Sequence, residues 1–100
     1  MSAELTIFGR FRVRAGCEEE MIAALAAVAG PTRAEPGCLA FQSYRSVRDT
    51  RLFFVNSRWT DEPAFDRHAA LAHTLNFIAR AEALAAEAPE VTRARPVEGA

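Results

Sequence analysis

One hundred residues with a net charge of −1 suffice for one core and are too balanced to attract nucleic acid or an anionic membrane surface. Half of the residues are hydrophobic and a quarter charged, which excludes disorder. All twelve basic residues are arginine, which excludes Schiff-base chemistry on lysine.

No stretch approaches the roughly twenty apolar residues of a membrane span. Met1-Ser2-Ala3-Glu4 runs directly into a strand-like segment without a leader pattern. Cys17 and Cys38 fit neither a disulfide framework nor a zinc motif. The expectation is a reduced, cytoplasmic protein in which 1–100 form one domain with a core over about 5–97.

Leu5 to Arg14 alternates, with Leu5, Ile7, Gly9, Phe11 and Val13 on one face and Phe8 among arginines on the other. Ala15-Gly16 turns the chain, and Glu18-Glu19-Glu20 opens a helix with acid at its positive end. Met21, Ile22, Leu25 and Val28 continue it at helical spacing, and Gly30-Pro31 is expected to end or kink it. Glu35-Pro36-Gly37 reads as a turn before a strand from Cys38 to Ser46. Arg48-Asp49-Thr50 then makes a hairpin into a strand from Arg51 to Trp59. Thr60 or Asp61 caps a helix with Pro63 in its first turn, running from Ala64 to about Ala86 with a break near Ala70. Pro89 stops it, and Glu90 to Val97 forms the last strand.

The order is β-α-β-β-α-β, a ferredoxin-like α+β fold whose four-stranded antiparallel sheet carries helices on one face. Phe8, Leu52 and Phe54 lie on the bare face, so a homodimer with stacked sheets is expected.

Gly16, the run Glu35-Pro36-Gly37-Cys38-Leu39, Trp59, and His68 with His73 and Phe77 together resemble the antibiotic biosynthesis monooxygenase domain family. The resemblance spans roughly residues 5 to 97. It implies a dimeric α/β barrel and cofactor-free oxidation of phenols, anthrones or quinols by O2. Other members isomerise or degrade small metabolites. The family often has glutamate two residues before the tryptophan, where this chain has Ser57. The haem-degrading branch uses an Asn, Trp and His at places that hold Gly9, His68 and Phe77 or Ile78 here, so haem degradation is not expected.

His68 lies at helical spacing from Ala64 and Phe65, and a histidine accepts and returns a proton near neutral pH. It is the first candidate catalytic base, and His73 is the second. Five residues along one helix turn His73 away from His68, so convergence is not required. With no carboxylate at suitable spacing the pair is not expected to bind metal. Trp59 is a candidate wall for an aromatic substrate, and Phe11, Phe41, Phe65 and Phe77 can line the same space or simply fill the core. Ser57 and Asn76 are the polar side chains expected to reach that space. The leading expectation is a cofactor-independent monooxygenase acting on a small aromatic substrate with O2. An isomerase or tautomerase on a small carbonyl metabolite uses the same base without O2, and a non-catalytic binding module uses the pocket alone. Arg10, Arg12 and Arg14 read as a solvated stripe rather than an anion site, and both cysteines as structural.

Overall fold

The computed structural model describes residues 3–100; Met1 and Ser2, the start of the expected domain, lie outside the described residues. The elements are β1 (Leu5–Arg12), α1 (Glu18–Arg33), β2 (Cys38–Arg45), β3 (Leu52–Trp59), α2 (Glu62–Ala69), α3 (Ala72–Leu84) and β4 (Glu90–Ala94). All strand pairs are antiparallel, in the order β2-β3-β1-β4. This is the ferredoxin-like arrangement, with its second helix split in two. Among the described residues no helix is long and apolar enough to cross a membrane.

The alternation along β1 is reproduced in burial, with Leu5, Ile7, Gly9, Phe11 and Val13 facing inward. Phe11 and Val13 pack with Phe41 of β2, Phe53 and Val55 of β3, and Met21, Leu25 and Val28 of α1. Removing such side chains from water contributes roughly 1.5–3 kcal/mol each. A second cluster of Leu5, Ile7, Trp59 and Ala64 closes the end of the sheet where α2 begins.

Helix α1 departs from the sequence expectation, while the second helix keeps its expected cap and break. Helix α1 runs unbroken through Gly30-Pro31 to Arg33. Pro31 and Ala27, whose carbonyl loses its donor, are both on the exposed side, so water can replace the missing bond. The second helix starts at Glu62, capped by Asp61 accepting the Ala64 N–H at 2.9 Å, and breaks at Ala70 and Leu71. Ala70 and Leu71 close the end of α2 by donating to Arg67 and His68, and α3 restarts after the extended backbone of Leu71.

Phe8, Arg10, Tyr44, Phe54 and Asn56 lie on the sheet face opposite the helices. Arg12 pairs with Asp49 and Glu87, and Arg10 with Glu87, so the arginine stripe is largely matched by acids.

Candidate functional site

The turn at Glu35-Pro36-Gly37 sets the geometry. Gly37 has φ +89°, and a Cβ there would meet Ala64 Cβ at 2.7 Å and Thr60 Oγ1 at 2.9 Å. Only glycine lets the turn lie this close to the start of α2. The Thr60 N–H donates to the Gly37 carbonyl at 2.9 Å, and the Cys38 N–H to that of Glu35 at 3.2 Å. Glu35 is thereby held with its side chain only 7% exposed, against the two helices that follow β3.

Its Oε2 lies 2.7 Å from His68 Nδ1 and 2.7 Å from His73 Nε2. The two histidines converge after all, because the break at Ala70 and Leu71 resets the helical phase between them. Glu35 supplies the carboxylate that chain spacing hides, 33 and 38 residues away. The three ligand atoms lie within 4.8 Å of one another.

An ionised carboxylate only accepts, so both nitrogens facing Glu35 carry hydrogen. Neutral His68 is then protonated on Nδ1, and Nε2 keeps its lone pair. Thr74 Oγ1, 3.1 Å from the same Nδ1, shares that proton as a weaker acceptor. The imidazole also packs against Trp59 (4.7 Å between ring centroids) and Phe65 (5.5 Å), which touch each other at 5.6 Å. His68 is 7% exposed, and what remains open faces a pocket.

That pocket, about 260 Å³, lies between the inner sheet face and helices α2 and α3. Phe11, Phe41, Phe65 and Phe77 line it, with Ser57, His68, Thr74 and Glu82 as its polar side chains. Gly9 contributes by omission: a Cβ there would sit 2.8 Å from the Phe11 ring and project from the face lined by the pocket. A larger hollow of about 770 Å³ covers the open sheet face, but it is broad and shallow and neither histidine reaches it.

Two expected substrate contacts fall elsewhere. Trp59 is fully buried and does not line the pocket; it backs the His68 ring and donates its indole N–H to Ser57 Oγ at 3.0 Å. Asn76 is exposed, because it precedes Phe77 by one residue, about 100° around α3 from the pocket side. It lines an outer groove with His73 and Arg80. His73 is therefore joined to the site through Glu35 while its ring meets the outside.

Sequence reasoning missed Glu35, Thr74 and the space left by Gly9. The acid three residues before Cys38 was visible as part of a turn and of the family-like run, not as a partner of the histidines. Cys38 itself is partly buried, and burial first, with the charge of Glu35 second, pushes its thiol up from the ordinary value. That direction suits a packing role.

The family described as antibiotic biosynthesis monooxygenase matches residues 5–80, a span that holds Glu35, Trp59, His68 and His73. Rv0793 of Mycobacterium tuberculosis is 30% identical over 100 residues, which is 100% of this chain and 98% of that protein. Its structure matches with a TM-score of 0.89 over 97% of this chain and 98% of its own. PA3566 of Pseudomonas aeruginosa is 30% identical, with a TM-score of 0.88 over 97% of each chain. SO0527 of Shewanella oneidensis is 25% identical, with a TM-score of 0.87 over 94% of this chain and 91% of that one.

Proposed function

This chain belongs to the antibiotic biosynthesis monooxygenase family, and from that premise we propose that it oxidises a small phenolic or quinol-type aromatic with O2, without a cofactor. One observation carries the reading. The His68 ring lines an aromatic pocket while its Nδ1 is pinned by buried Glu35, which leaves Nε2 as the acceptor.

The substrate lies among Phe11, Phe41, Phe65 and Phe77 and gives a proton from its acidic ring position to His68 Nε2. Glu35 balances the imidazolium that forms, in a site where water is scarce and the pairing is strong. The substrate anion passes one electron to O2, and the two radicals join as a C–O bond to give a peroxide anion. His68 returns its proton to that anion, and loss of water leaves a carbonyl. A ring carbon bearing two hydrogens is thus converted with one O2 to C=O and one H2O. The electrons come from the substrate; the protein supplies the base, its orientation and a mostly apolar pocket.

The assay is O2 uptake by EDTA-treated protein with a panel of anthrones and hydroquinones. The expected result is uptake by the wild type and its loss in His68→Ala. Uptake that persists unchanged in that variant rejects the mechanism, and product formed without O2 moves the reading to isomerisation on the same base.

The functional unit in this reading is a homodimer that stacks two open sheet faces. Phe8 and Tyr44 are each 54% exposed there, and Phe54 lies between them on the adjacent strand. Sedimentation is expected to give twice the chain mass at micromolar concentration, and a monomer would reject the pairing.

A further inference from the structure

We propose that Glu35, His68 and His73 form a binding site for one divalent first-row transition ion, and that the ion acts as an off-switch for the base. Two imidazole nitrogens and one carboxylate oxygen are a donor set suited to zinc, iron, cobalt or nickel. An ion at about 2.0–2.2 Å from each donor needs donor separations of roughly 3 to 4.4 Å. The three atoms already converge to 2.7 Å and 2.7 Å on Glu35 Oε2, with all pairs inside 4.8 Å. Small rotations of the Glu35 carboxylate and of the His73 ring, the more exposed of the two imidazoles, open the remaining space. Its groove on the outer side of α3 gives the ion a route that does not pass through the aromatic pocket.

The switch follows from proton counting. A neutral imidazole carries one N–H. Without metal that hydrogen sits on His68 Nδ1 and faces Glu35. A metal on Nδ1 needs the lone pair there, so the hydrogen moves to Nε2, on the pocket side. His73 shifts in the opposite sense, from Nε2–H to Nδ1–H. No proton is gained or lost overall, but His68 changes from acceptor to donor toward the pocket. Loss of turnover rests on His68 being the base; metal binding itself does not.

The test separates the two. Apo protein is titrated with Co2+ alone, without substrate, and the visible absorption of the bound ion is followed; the 15N imidazole spectrum is read on the apo protein and on the diamagnetic Zn2+ form. The chain has only two histidines, so both rings are read without ambiguity. Expected are one saturable Co2+ per chain, displacement by Zn2+, and transfer of the His68 hydrogen from Nδ1 to Nε2. His73→Ala and Glu35→Gln are each expected to weaken binding at least about tenfold. His73 is partly exposed, so its removal leaves the fold intact even if Glu35→Gln does not fold. No saturable band up to millimolar Co2+, or a band that survives unchanged in His73→Ala, overturns the proposal. A metal-bound protein that still consumes O2 overturns the switch and leaves the site standing.

Discussion

The two faces of the sheet are made by the same alternation along the same strands, yet they hold different chemistry. On the inner face Phe11, Phe41, Val55 and Ser57 border a pocket that ends at a buried histidine held by a buried acid. On the open face Phe8, Tyr44 and Phe54 stand among Arg10 and Asn56. The inner face has helices over it, so its polar groups must find partners inside; Ser57 takes the Trp59 N–H, and His68 takes Glu35. The open face has no such cover, and its aromatics are free to meet another surface. A register of two along a strand therefore separates a helix-covered face from an open one.

Substitutions on each face are expected to fail in different assays. The largest effect is predicted for His68→Ala, a loss of about 10²–10⁴-fold in turnover with sedimentation unchanged. Next comes Trp59→Ala, which empties a fully buried position and is expected to cost about 3–5 kcal/mol in a denaturant titration. Phe8→Ala on the opposite face is expected to change monomer stability by no more than about 0.5 kcal/mol. Charge on that face sharpens the contrast: Phe8→Glu with Phe54→Glu is predicted to halve the sedimenting mass and spare the Co2+ band. Equal stability loss from Trp59→Ala and Phe8→Ala would erase the distinction between the faces.

The smallest effect belongs to the exposed hairpin beside the open face. The Arg51 N–H first, and the Arg12 guanidinium second, hold the Asp49 carboxyl below its ordinary value. A carboxyl lowered by folding adds stability above its unfolded pKa of about 3.9, and that addition is lost as pH falls through the lower, folded value. Asp49→Asn is therefore expected to trim stability slightly at neutral pH and to make no difference in strong acid. Melting curves across pH check this, and a deficit that grows toward low pH would contradict it.

Much of the fold was legible because alternation and turn chemistry are local. Leu5 to Val13 could be assigned to a face by period alone, and Gly37 to a turn by its neighbours. The site was less so. His68 stood out on an apolar stripe, but Glu35 meets it across 33 residues, a distance only the folded turn closes. His73 was turned away from His68 by carrying one helical phase through Ala70, and the break there brings it back to the site. Pro31 misled in the opposite sense, since its cost depends on whether the orphaned carbonyl faces water, and a sequence does not state that.

The central claim is that Glu35 fixes His68 as a base aimed at the inner pocket, and the 15N spectrum of the two imidazoles in metal-free protein tests it most directly. His68 is predicted to be protonated on Nδ1 with a free lone pair on Nε2, and to lose that single tautomer in Glu35→Gln. Hydrogen found on Nε2 of His68 in the wild type, or a tautomer indifferent to Glu35→Gln, would contradict it.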